Sequence, residues 1–215
     1  MQQVKLDVEK QRFDSALRNL SLLYGNPDLP PSQAREVTLI LDKMAAKVIY
    51  SREHVLEPAY LVQAGDTLET IADHYKVPAL LLAKINGIRD PQNLPPGKAI
   101  KVLKGPFNAQ ISTDHSEMTM MLGGLYAGRF SVALSNDLSH AQSLWWVREK
   151  SPSAAVANGS GKSWIELSNS SGNISMQGTN STQSATGRNT IWLSEQDMED
   201  VFGILSAGSS VIIQR

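Results

Sequence analysis

Covalent and metal chemistry have few carriers in this sequence. Its 215 residues include no cysteine, which removes disulfides, thiolate–metal sites and a thiol nucleophile together. The four histidines, His54, His74, His115 and His140, are scattered through a linker, a helix, a turn and a loop, and each is expected at the surface. What recurs instead is glycine-punctuated turns, above all Gly65-Asp66-Thr67-Leu68 and Asn86-Gly87-Ile88.

The elements that hold those turns are legible. Gly65 closes a short apolar strand, and Asp66 or Thr67 is placed to cap a helix whose Leu68, Ile71, Ala72 and Tyr75 share one face. Pro78 stands near the start of a second helix, where a missing N–H is harmless, and Asn86-Gly87 provides a left-handed exit. Both helices are too short to be stable alone and must pack on a two-stranded ribbon. Loops 65–68 and 86–91 then lie side by side as a shallow groove.

Tyr60-Leu61-Val62-Gln63-Ala64-Gly65-Asp66-Thr67-Leu68, Ile71-Ala72, Tyr75, Val77-Pro78, Leu81-Leu82, Ile85-Asn86-Gly87, Pro96-Gly97 and Ile100-Lys101-Val102 together resemble a LysM domain, a βααβ module. The resemblance implies binding of N-acetylglucosamine polymers of peptidoglycan or chitin, largely through backbone groups and small side chains. The residues it points to are Gly65, Asp66, Thr67, Leu68, Asn86, Gly87 and Ile88.

Residues 1–57 read as a helical hairpin. Leu6, Phe13, Ala16, Leu17, Leu20 and Leu23 keep helical spacing up to Gly25-Asn26-Pro27, and Val37, Ile40, Leu41, Met44 and Val48 continue beyond Pro30-Pro31-Ser32, with Pro31 or Ser32 expected as cap. Residues 105–215 are β-rich, with strands expected at 107–113, 117–122, 126–134, 144–148, 164–167, 174–176, 190–193 and 210–213, and a hairpin turn at Gly123-Gly124. One helix follows Ser194, with Asp197 three residues on and Met198, Val201, Phe202 and Leu205 on one face. Of Trp145 and Trp146, consecutive in a strand, one ring must be core. The fold class is α+β: a helical hairpin (1–57), a βααβ LysM module (58–104) and a β-rich domain (105–215).

Gly105-Pro106-Phe107, Met118 to Leu122, Tyr126-Ala127-Gly128-Arg129-Phe130, Gln177-Gly178-Thr179-Asn180, Ile191-Trp192-Leu193-Ser194 and Asp200 to Leu205 resemble an L,D-transpeptidase (YkuD-type) domain. Such domains cross-link peptidoglycan stems through a cysteine acyl-enzyme. The resemblance places Gln177 where the family has its histidine base, Thr190 where it has its cysteine and Trp192 where it has an arginine. An amide takes no proton at neutral pH, and a threonine hydroxyl needs an adjacent base far more than a thiol does. A degenerate, noncatalytic domain is therefore expected. The alternative is an active transpeptidase or hydrolase with rearranged residues, for which Thr190 with His140 in a cleft is the constellation to find. A further alternative is an assembly factor whose hairpin recruits an envelope protein through an exposed apolar patch.

Composition narrows the partners. With 20 Lys and Arg against 21 Asp and Glu, and no like-charge run, nothing suggests a nucleic-acid or membrane-surface face. No stretch of 18 apolar residues would span a membrane, and the first 20 residues lack a signal-peptide core, so a signal or anchor for an envelope protein would lie outside this chain. No metal set or cofactor is implied. The expected partner is peptidoglycan or a related polymer, and the expected location the bacterial cell envelope.

Overall fold

The structure, a computed structural model, describes residues 2–138, 142–152, 163–180 and 187–215. The chain divides into two compact units: residues 1–105 with 121–128, and residues 106–120 with 129–215. The α+β class expected from the sequence is what it adopts.

The first unit begins with α1 (Gln2–Glu9), α2 (Phe13–Ser21) and α3 (Pro31–Ala45), the last running into one π-helical turn at Ala46–Tyr50. The first arm of the expected hairpin is thus two helices. The break is held by Asp7, only 2% exposed, whose carboxylate accepts from Arg12 Nη2 at 2.6 Å and Asn19 Nδ2 at 3.0 Å. Gln11 turns left-handed (φ 57°) to make that geometry. Such a conformation costs a non-glycine residue about 1 kcal/mol, which a half-buried charge-assisted pair offsets. α3 is capped by Pro30, with Pro31 at its first position, one residue earlier than the periodicity suggested. Leu17, Leu20, Leu41, Val48 and Ile49 form the apolar interior of this layer.

The LysM segment follows as β1 (Tyr60–Leu61), α4 (Leu68–Tyr75), α5 (Ala79–Asn86) and β2 (Ala99–Ile100), the two strands pairing antiparallel with Tyr60 opposite Ile100. Leu68, Ile71, Leu81, Leu82, Ile85, Ile100 and Val102 are buried along both helices and the second strand, so neither eight-residue helix stands alone. Residues 121–128 complete the unit. Tyr126, fully buried, donates its hydroxyl to Asp42, donates its amide to Ser21 Oγ at 2.9 Å and lies against Tyr24 with the ring centroids 4.8 Å apart and the planes tilted by 53°.

The β-rich region supplies β3 (Phe107–Ser112), β4 (Glu117–Leu122), β5 (Leu125–Ser131), β6 (Ala133–Leu134), β7 (Ser143–Ser151), β8 (Trp164–Asn169), β9 (Gly172–Thr179), β10 (Thr190–Ser194), α6 (Glu195–Ile204) and β11 (Ser210–Gln214). The strands form one mixed sheet in the order β5-β4-β3-β11-β7-β8-β9-β10-β6, parallel at β3/β11 and β9/β10. Gly123-Gly124 makes the β4–β5 turn with positive φ at both residues, as the sequence suggested. Alternation sends Trp145, Val147, Ile165, Leu167, Ile174, Met176, Ile191 and Leu193 to a buried face. α6 lies along β8–β10 with Met198, Val201 and Ile204 buried. Its start can approach β9 because position 178 is glycine: a Cβ there would lie 3.2 Å from Glu195 Cα and 3.3 Å from Met198 Cβ. Lys150 Nζ closes the other end, donating to the Phe202 and Leu205 carbonyls at 2.6 and 2.8 Å. That burial lowers its pKa to about 8.

Candidate functional site

Seven LysM residues were expected to meet sugar, and the structure sorts them by what their side chains already do. Asp66 does not cap α4. Its Oδ2 accepts from the Tyr60 hydroxyl at 2.8 Å and the Gln63 amide at 2.7 Å, closing the turn, and it raises the Tyr60 pKa above the ordinary phenol value. Thr67 is the cap: Oγ1 accepts from the Thr70 amide at 3.1 Å while Thr70 Oγ1 accepts from the Thr67 amide at 3.0 Å. This reciprocal pair satisfies two amide donors at the helix start. Leu68 is fully buried and belongs to the core.

At the second loop, Asn86 spends its entire side chain inward. Nδ2 donates to the Leu82 and Lys101 carbonyls, each at 2.9 Å, and Oδ1 accepts from the Lys101 amide at 2.7 Å. Gly87 follows left-handed at φ 63°, and the Ile88 amide returns to the Ala83 carbonyl at 2.9 Å. Gly65 and Gly87 are exposed and Ile88 half-buried. The side chains of Asp66, Thr67 and Asn86 are thus engaged in holding the loops, while the backbone at Gly65 and Gly87 stays exposed.

Sequence reading passed over Lys101. It is only 1% exposed, and its Nζ donates to the Val48 carbonyl at 2.8 Å and the Ser51 carbonyl at 2.7 Å. Desolvation pulls its pKa from 10.5 down to about 8, opposed in part by Glu53. The residue that Asn86 holds by its backbone thus grips the end of the π-helical turn with its side chain. Nothing local in Ile100-Lys101-Val102 signals this, because the acceptors lie about 50 residues away in the chain.

In the second unit, Gln177, Thr190 and Trp192 are brought together on one sheet face. Thr190 pairs with Ser175 and Trp192 with Gln177 across the parallel β9/β10 ladder. Exposed Gln177 donates Nε2 to Ser175 Oγ at 2.7 Å. Thr190, 8% exposed, donates its hydroxyl to the Arg188 carbonyl at 2.8 Å, and its amide donates to Ser135 Oγ at 3.1 Å. Among the described residues, no histidine or carboxylate is hydrogen-bonded to that hydroxyl. His140, its one suggested partner, lies outside the described residues. Trp192, equally buried, packs under Gly187, where a Cβ would lie 3.2 Å from Trp192 Cζ2.

Beside Thr190 opens a cavity of about 670 Å³, lined by Leu134, Ser135, Asn136, Asp137, Gly187, Arg188 and Asn189. Asp137 Oδ2 accepts from the Asn189 amide at 2.8 Å. Hydrogen bonds from Ser135 and Asn189, with the Arg188 charge, hold the Asp137 carboxyl below its usual range. An ionised carboxylate so engaged is an anchor for its loop and a poor base. Of the paired tryptophans, Trp145 is core and Trp146 is 48% exposed. No group of three or more metal-ligating side chains occurs among the described residues, and no helix among them is long and apolar enough to cross a membrane.

Among solved structures the chain is similar to an L,D-transpeptidase (Yku) of Stackebrandtia nassauensis at 12% identity and a TM-score of 0.42, covering 52% of this chain and 57% of that one. It is similar to an L,D-transpeptidase of Mycobacterium smegmatis at 12% identity and 0.41, covering 55% and 64%. A third, from Mycobacterium tuberculosis H37Rv, has 15% identity and 0.43, covering 56% and 63%. The chain spans less than two thirds of each of these proteins. No curated protein matches it significantly. The LysM family model matches residues 60–102, from the first residue of β1 to two residues past β2. With the reciprocal cap on α4, the left-handed exit from α5 and the two-stranded ribbon all within that span, residues 60–102 of this chain are a LysM domain.

Proposed function

We propose that this chain binds N-acetylglucosamine polymers of peptidoglycan through its LysM domain, in the bacterial cell envelope, and that residues 105–215 scaffold or bind without catalysing transpeptidation. In this reading residues 1–57 brace the module at 58–104. The observation that carries it is the pair of LysM loops whose side chains Asp66, Thr67 and Asn86 are engaged internally, leaving the backbone at Gly65 and Gly87 for a ligand. Backbone amides and carbonyls suit the acetamido group, which carries one donor and one acceptor of the same kind. The noncatalytic part is supported by the Thr190 hydroxyl, which donates to a carbonyl, and by Gln177, which bonds Ser175.

The test is co-sedimentation of the full chain with insoluble peptidoglycan and with chitin, followed by elution with soluble N-acetylglucosamine oligomers. Binding that the oligomers compete away is expected. Gly65→Trp should weaken it, since open space surrounds the Cβ position there and the ring would cover the loop; circular dichroism checks that the strain at φ 91° leaves the fold intact. Sedimentation no greater than that of an unrelated protein would refute the reading.

A further inference from the structure

The turn at residues 51–53 lies outside the matched LysM segment, yet it is anchored on it. Lys101 holds the Ser51 carbonyl at 2.7 Å. Ser51 Oγ donates to the Lys47 carbonyl at 2.6 Å and accepts from the Glu53 amide at 3.1 Å, while the Glu53 carboxylate pairs with Lys47. Arg52 sits between these two fixed neighbours with its charge uncommitted: among the described residues no carboxylate pairs with it. Its exposed side chain runs to Gly87, where a Cβ would stand 2.1 Å from Arg52 Nη2 and 2.8 Å from Cζ. The guanidinium therefore fills the space that a side chain at the tip of the second LysM loop would take.

A guanidinium is charged at every physiological pH and presents a rigid planar fork of N–H donors that matches a carboxylate. A neutral N-acetylglucosamine polymer has no group that needs it. A glycan strand substituted with acidic peptides does. We propose that Arg52 is the anion-selecting residue of the LysM groove, so that this chain prefers a carboxylate-bearing N-acetylhexosamine polymer to a neutral one. The inference rests on the sugar-binding reading above and specifies its ligand. The carboxylate approaches from solvent beside Gly87, and the anchored 51–53 turn means that little backbone freedom is lost when it is bound.

The test uses the full chain and three soluble probes in titration calorimetry at low salt: a neutral N-acetylglucosamine hexamer, a peptidoglycan glycan fragment of similar length with free stem carboxylates, and that fragment with its carboxylates amidated. The wild-type chain should bind the free-carboxylate fragment about fivefold more tightly than the amidated one, the scale of one exposed charge-assisted contact. Arg52→Gln should erase that preference and leave the hexamer affinity unchanged, and Arg52→Lys should keep part of it. A preference that survives Arg52→Gln would overturn the proposal, and so would an equal loss for all three probes, which marks a structural role. If the wild-type chain binds none of the probes, the sugar-binding reading itself fails and this one with it. Charge-blind binding overturns the role of Arg52 alone.

Discussion

Lys101 gives the first unit a stability that climbs with pH. Its pKa falls from 10.5 in an exposed chain to about 8 in the folded protein, with desolvation as the main cause and Glu53 acting against it. Between those values the unfolded chain carries a proton that the folded one has released. Stability then rises with pH, since the state binding more protons is penalised as protons become scarce. At about 1.4 kcal/mol per pKa unit, the buried ammonium costs about 3 kcal/mol at pH 7, and about 2 kcal/mol of that is relieved by pH 9.5. The two units can be followed separately. All four tryptophans lie in 129–215, within the second unit, while five of the six α-helices among the described residues lie in the first, so helical ellipticity reports the first and tryptophan fluorescence the second. In urea, the midpoint read by ellipticity should move up by about 1 M from pH 7 to 9.5, for a slope near 2 kcal/mol/M. Lys101→Met should abolish that rise. Lys150, whose pKa is also lowered to about 8 by burial, should drive a parallel rise in the fluorescence midpoint that Lys101→Met leaves untouched. Equal pH profiles for wild type and Lys101→Met by ellipticity would refute the reasoning.

Asn86→Ala removes three hydrogen bonds that bracket α5 and the strand end at Lys101, and at about 1 kcal/mol each should lower the stability of the first unit by about 2–3 kcal/mol, seen as an ellipticity midpoint that falls while tryptophan fluorescence holds. Carbapenems should leave no stoichiometric adduct by intact-protein mass spectrometry, because Thr190 offers a protonated alcohol bonded to the Arg188 carbonyl and Gln177 offers no base. Thr190→Cys alone should remain nearly inert, since nucleophile and base act as a unit; an adduct mapped to Thr190 in the unmodified chain would overturn the noncatalytic reading.

Where structure and sequence reading part, the reason is distance along the chain. Thr67 as cap, Pro78 at the head of α5, Gly87 at its exit, the Gly123-Gly124 turn and the cap of α6 by Ser194, which accepts from the Asp197 amide at 3.1 Å, all depend on neighbours a few residues away. So do the strands, whose period of two separates Trp145 from Trp146. The division of the first arm at Gln11 escaped, because helical spacing continues across it and the cause is a buried Asp7.

The sequence by itself determined the α+β class, the LysM motif, the absence of thiol chemistry from a chain without cysteine, and the amide and alcohol at Gln177 and Thr190. These follow from residue type and local periodicity, which no packing can alter. Only the tertiary structure decided what the polar side chains do. The Asn86 side chain is spent on Leu82 and on Lys101, 15 residues on; Lys101 reaches Val48 across 53, and Tyr126 reaches Asp42 across 84. Many carbonyls and carboxylates could have served as those partners, and no spacing encodes the choice. It is set when the apolar faces pack and leave each buried donor the acceptors that happen to lie within reach.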